Sequence, residues 1–210
     1  MVYDDMIVKQ IPVGSMANFT YVIADEKTKL AAVIDPSWNL EKILDVLKKY
    51  DLKLQHIINT HTHFDHVLGN EQLAALTGAE IIMHKNSELT KNVTVEDGST
   101  IKLGNISINV IYTPGHSKDS ICLLTENKLF TGDALFVGNC GRIDLPGGSA
   151  SELYDSLFGK LVKLDDSIEV YPGHDYGSKP VSTVGDEKKT NYVLKPRTKE
   201  EFLLFMQSDD

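Results

Sequence analysis

The chain has 210 residues, with 30 Asp and Glu against 21 Lys and Arg and a net charge of −9. That balance disfavours a partner gripped through phosphates, and the acidic start Met1-Val2-Tyr3-Asp4-Asp5 has no signal-peptide character. No apolar run approaches the ~20 residues of a membrane span, and Cys122 and Cys140 are too few for a disulfide framework, so a cytoplasmic protein with one domain over 1–210 is expected.

In chain order, strands are predicted from Met6 to Val13, from Phe19 to Ala24 and from Leu30 to Ile34, separated by Gly14-Ser15 and Asp25-Glu26-Lys27. Asp35-Pro36 closes the third run. Leu40, Ile43, Leu44 and Leu47 recur at helical spacing, predicting a helix from about Asn39 to Tyr50 with Asn39 as its cap. A strand over Leu54 to Asn59 leads into His61-Thr62-His63-Phe64-Asp65-His66. A helix is expected from about Val67 to Thr77, stopped by Gly78, and a strand from Ala79 to His84.

Residues 86–100 are polar and turn-rich, with one weak strand near Val93. Ile106 to Tyr112 alternates and ends in Thr113-Pro114-Gly115-His116. Ser120 to Thr125 and Lys128 to Thr131 form a hairpin pair ending at Gly132-Asp133. After a glycine-rich loop, Ser149 caps a helix carrying Leu153, Leu157, Leu161 and Leu164 on one side. A strand over Ser167 to Tyr171 ends in Pro172-Gly173-His174, and a last helix runs from about Lys199 to Gln207. The order β-β-β-α-β-α-β, then β-β-β-α-β, suggests two similar halves. Two sheets would then lie face to face with helices outside, largely antiparallel but with parallel pairs near the helices.

Four loops share one design: an apolar strand, a sharp turn, then a potential ligand. They supply His61, His63, Asp65 and His66, then His116, then Asp133, then His174. Five of the seven histidines fall on these loops, leaving His56 and His84 as structural imidazoles. Nitrogen and oxygen donors of this kind suit zinc, iron or manganese.

The spacing His61-x-His63-x-Asp65-His66, followed by His116, Asp133 and His174, resembles the metallo-β-lactamase superfamily over almost the whole chain. The resemblance implies a four-layer αββα sandwich of mixed α/β class with the active site along one sheet edge. It also implies a first metal site of His61, His63 and His116, a second of Asp65, His66 and His174, and Asp133 bridging them. Two divalent ions, expected to be zinc, would activate a shared hydroxide, with Asp65 as a catalytic as well as a ligating group.

Within that superfamily, His61 to Asn70 and Gly141-Arg142-Ile143-Asp144-Leu145-Pro146-Gly147-Gly148-Ser149 resemble short hydrolases related to glyoxalase II. That likeness implies cleavage of a thioester or related acyl bond of a small thiol conjugate. Asn139-Cys140-Gly141-Arg142, Tyr171 to Tyr176 and Ser182-Thr183-Val184 instead resemble the persulfide dioxygenases. Those enzymes would place one iron on His61, His116 and Asp133, although they usually carry Ala where Phe64 stands. Full glyoxalase II fits least, because its helical extension is represented by one short helix after Tyr192.

Arg142, Asp175 and Tyr176 are the candidate substrate contacts, the alternative for Arg142 being a salt bridge to Asp144 or Asp175. Cys140 is read as a small buried residue. The expected partner is a small thiol-derived molecule, with no nucleic acid and no membrane. A homodimer is consistent with short members of the family. A nuclease is disfavoured by the acidic charge, and a non-catalytic scaffold by the complete ligand set.

Overall fold

A computed structural model describes residues 6–208. The first half forms β1 (Met6–Val13), β2 (Asn18–Asp25), β3 (Leu30–Ile34), α1 (Leu40–Lys49) and β4 (Lys53–Ile58). It continues through α2 (Phe64–Val67), α3 (Asn70–Thr77), β5 (Glu80–His84) and β6 (Val93–Val95). The second half contains β7 (Thr100–Leu103), β8 (Ile106–Tyr112), β9 (Ile121–Thr125), β10 (Lys128–Gly132) and α4 (Ala150–Gly159). After a 3₁₀ turn it ends with β11 (Glu169–Pro172), β12 (Ser182–Thr183), α5 (Val184–Thr190) and α6 (Lys199–Ser208).

Each half builds its own six-stranded sheet, ordered β1-β2-β3-β4-β5-β6 and β12-β11-β10-β9-β8-β7. Strand alternation explains the layers. In β2, Phe19, Tyr21 and Ile23 face the other sheet and join Ile34, Ile58, Ile108, Leu123 and Phe130 in a core between the sheets. Val22 and Ala24 on the opposite face pack with Ile43 and Leu47 of α1 and Leu73 of α3. Leu129 and Val170 of the second sheet pack with Leu153, Leu157 and Phe202 from α4 and α6. Helix, sheet, sheet and helix therefore form four layers, as expected.

The second sheet is mostly antiparallel, with β10–β11 its parallel pair. The first carries the other parallel pairs, β3–β4, β4–β5 and β5–β6, beside antiparallel β1–β2 and β2–β3. Crossovers through α1 and α2–α3 impose the first two of these. Among the described residues no helix is long and apolar enough to cross a membrane.

Three local expectations need correction. Asn39 occupies the N-cap position of α1 but lies in the left-handed region at φ 57, with no side-chain cap bond. Its side-chain oxygen instead accepts from Gly14 N at 3.1 Å, tying α1 to the β1–β2 turn. The helix expected from Val67 is two helices broken at Gly69, whose N–H donates to Pro36 O at 3.0 Å. A Cβ there would lie 2.5 Å from Leu40, so the chain must pass close at that point. Finally, β7, β12 and α5 were not anticipated. Other features match their sequence signals: Gly78 closes α3 at φ 74, and Ser149 caps α4 by accepting from Glu152 N.

Candidate metal centre

The cluster forms where strand ends of both sheets meet at one edge. β4 runs out at Ile58, and the loop after it carries His61 and His63. His63 stands at the N-cap of α2 with no capping bond, which leaves its ring available. That single short helix then turns Asp65 and His66 inward, both buried. Asn59 fixes the geometry by donating to His66 O at 2.9 Å, while its amide pairs with Asn70. From the second sheet, His116 follows β8, Asp133 follows β10 and His174 follows β11. At this seam Phe19 N donates to Gly173 O at 2.8 Å, joining the two sheets directly.

All seven predicted ligands converge. His63 Nδ1 lies 2.8 Å from His116 Nε2, and with His61 these rings offer nitrogens within 4.8 Å of one another. Asp65, His66 and His174 form a second such group, with His66 Nε2 3.2 Å from His174 Nε2. Asp133 lies between: its Oδ2 is 3.5 Å from His116 Nε2 and 3.3 Å from His174 Nε2.

The outward ring nitrogens of four of these histidines are each held by an acceptor. His116 Nδ1 is 2.7 Å from Arg142 O, His174 Nδ1 2.9 Å from Met16 O, and His66 Nδ1 3.1 Å from Asp35 Oδ2. Thr60 donates its hydroxyl to Asp35 at 2.6 Å, leaving a lone pair facing His61 Nδ1 at 3.2 Å. In each of these four Nδ1–H is the donor, so Nε2 is the nitrogen left to offer a lone pair to the cluster once the ring is neutral. His61 Nε2 and Asp133 Oδ1 are buried with no hydrogen-bond partner. Orphaned buried acceptors are costly, and a cation at this point satisfies them. The residues therefore fit a metal centre.

Charge is divided unevenly across the cluster. Burial and the neighbouring His66 hold His61 well below an ordinary imidazole; burial and His116 lower His63. Burial also opposes a charge on His174, yet the Asp133 and Asp65 carboxylates raise it to about 9. His66 is likewise raised against its burial, by Asp133 first and then Asp35 and Asp65. Both carboxylates stay far below their usual range despite burial, Asp65 through hydrogen bonds from His174 and His66, Asp133 through the charges of His66 and His61.

Sequence reasoning missed two supports. Asp35, buried at the end of β3, accepts from Thr60 N at 2.7 Å as well as from Thr60 Oγ1 and His66. Asn18 donates to Asp65 Oδ2 at 2.9 Å and to its backbone oxygen at 3.2 Å. Asp35 did carry a signal, since it ends the strand beside β4 and ligands collect at such ends.

A cavity of about 520 Å³ opens above the cluster, with Arg142 and Tyr176 in its lining. Tyr176 stacks on the His174 ring at 4.6 Å. Arg142 forks onto both carboxylate oxygens of Asp144, which realises the salt-bridge alternative. Asp175 is exposed, lies outside that lining, and its N–H donates to Ala17 O. Cys140 is buried in the cavity wall. His56 contacts Lys102 O at 3.2 Å, and His84 stacks on Tyr112 at 4.2 Å, both away from the cluster.

Two paired sheets between helices, with a His/Asp cluster at one edge, define a metallo-enzyme architecture. Residues 14–174 match the family model described as the metallo-beta-lactamase superfamily, and the chain belongs to that superfamily. It is 35% identical over 196 residues to the probable polyketide biosynthesis zinc-dependent hydrolase BaeB of Bacillus velezensis, covering 90% of this chain and 87% of that one. Against human mitochondrial persulfide dioxygenase ETHE1 it is 33% identical over 178 residues, covering 83% of this chain and 70% of that one. The solved structure of ETHE1 from Myxococcus xanthus superposes with a TM-score of 0.93 at 37% identity, covering 97% of this chain and 91% of that one.

Proposed function

We propose that the chain is a metal-dependent hydrolase that cleaves a thioester or related acyl bond of a small thiol conjugate. The observation that carries this reading is the division of the cluster into two ligand groups, with Asp133 within 3.5 Å of a histidine of each. His61, His63 and His116 would hold one cation, Asp65, His66 and His174 a second, and Asp133 would contact both. When bound, two divalent ions supply Lewis acidity and lower the pKa of water towards neutrality.

The protein groups have separable tasks. Asp65, held ionised and fixed by Asn18, is an acceptor that orients an attacking water. Asp35 and Thr60 hold the imidazoles of His66 and His61 in one tautomer. Tyr176 and Phe136 close one side of the cavity above His174. The similarity to a zinc-dependent hydrolase over nearly its full length supports the same reading.

A second reading is an iron-dependent persulfide dioxygenase using His61, His116 and Asp133. Two histidines and a carboxylate suit non-haem iron, and the likeness to ETHE1 favours it. Metal analysis with paired assays separates the two. The hydrolase reading expects two zinc ions per chain and cleavage of S-lactoylglutathione or acetyl-N-acetylcysteamine. One iron per chain with oxygen uptake on glutathione persulfide, and neither thioester cleaved, would overturn it.

A further inference from the structure

The wall of the cavity is apolar on one side and has its cation occupied on the other. Met16, Phe64 and Tyr176 are 40%, 59% and 56% exposed. Single exposed apolar side chains are ordinary, but these three line one cavity. Two of them are also braced: Trp38 meets Phe64 edge-on at 6.3 Å, and Phe136 meets Tyr176 edge-on at 5.4 Å. Because the ligand cluster forms the cavity floor, what covers these side chains is the molecule whose reacting bond reaches that floor.

Among the lining residues Arg142 is the only Lys or Arg, and Asp144 already occupies its guanidinium fork. Lys118 lines a different cavity of about 370 Å³ that shares only His63 and Pro146 with this one. A carboxylate on the non-reacting arm, away from the floor where the metal ions would sit, must therefore compete with Asp144 or lose hydration without a matching cation. An apolar arm faces no such cost, and it removes Phe64, Met16 and Tyr176 from water.

We propose that the non-reacting arm of the substrate is a neutral, largely apolar thiol carrier laid across Met16, Phe64 and Tyr176, and not a peptide bearing free carboxylates. The proposal rests on the hydrolase reading for its chemistry but concerns only the arm.

Calorimetric binding of two unreactive thioethers to the metal-loaded protein tests it: S-hexyl-N-acetylcysteamine, which is neutral, and S-hexylglutathione. The neutral compound should bind at least tenfold tighter. Phe64→Ala should weaken it fivefold or more, and Asp144→Asn, by freeing Arg142, should strengthen only the glutathione compound, by threefold or more. Equal or tighter binding of S-hexylglutathione to the unmodified protein overturns the proposal, as does neutral affinity unchanged by Phe64→Ala. Binding is read without turnover. A protein that binds the neutral thioether yet cleaves neither thioester loses the hydrolase reading and keeps this one; faster cleavage of S-lactoylglutathione than of acetyl-N-acetylcysteamine does the reverse.

Discussion

Replacing Asp35 by Asn changes one atom in a buried network and leaves the backbone content, because Asn tolerates the left-handed φ of 50 found there. Asp35 Oδ1 accepts from Thr60 N at 2.7 Å, and the amide oxygen of Asn can keep that bond. Oδ2 accepts from Thr60 Oγ1 at 2.6 Å and from His66 Nδ1 at 3.1 Å, and there the substitution puts an NH₂ group against two donors. Hydrogen bonds to a charged group contribute about 1.5–3 kcal/mol each, and Thr60 can partly recover by rotating its hydroxyl. A net loss of about 2–4 kcal/mol follows, or roughly 4–16 °C in Tm for a chain of this size. The His66 tautomer is no longer held, nor is the lone pair Thr60 turns towards His61, so metal affinity should fall about 10–100-fold. Chelator competition and thermal unfolding of metal-loaded protein measure both. Asp35→Asn that melts and binds metal like the unmodified protein would refute the role assigned to this network.

Three further outcomes are expected. Gly141→Ala places a Cβ 2.0 Å from Asp133 O and 2.9 Å from the His116 ring, so a loss of about 1–3 kcal/mol and weaker metal retention should appear in melting and metal analysis; unchanged values would contradict this close approach. Asn18→Ala frees the Asp65 carboxylate and should lower kcat at least tenfold with little change in KM, whereas an effect confined to KM would argue against an orienting role. In metal-free protein His174 has a pKa raised to about 9, so it is charged at pH 7.5 and must lose its proton to ligate. Zinc loading at pH 7.5 should release at least this proton, seen as calorimetric heats that depend on the buffer. Heats independent of the buffer would count against ligation by His174. The same raised pKa makes the His174 contribution to metal-free stability complete below about 6.5 and lost as pH rises through about 9.

The ligands were legible because each is a polar residue at the end of an apolar run, and because four such ends repeat one design. The pairings of their supports were not, although Asp35 has the strand-end position that marks the ligands. Asp35 partners His66, and Asn18 partners Asp65 across 47 positions, and neither pairing leaves a local trace. The break at Gly69 is likewise tertiary, set by Leu40 and Pro36 rather than by the helical period of its own segment. β7 did carry a short alternation, burying Ile101 and Leu103 while Thr100 and Lys102 face out, but within a polar stretch this was too brief to register. β12 has two residues and hence no period at all. Arg142 offered two partners in the sequence, and only the folded loop pairs it with Asp144.

The seam that joins Phe19 to Gly173 has a topological consequence. On the proposed ligand assignment, a cation held by both His66 and His174 ties together points 108 residues apart, one following a strand of each sheet. It acts as a removable cross-link, closing a chain loop as a disulfide does, and for a loop of that size the entropic effect on the unfolded chain is roughly 4–5 kcal/mol. The metal would then fasten one sheet to the other while leaving each sheet's own ladder untouched. Stripping it should let the sandwich part along this edge first, with amide exchange quickening at Phe19 and Gly173 before it does in β3 or β10.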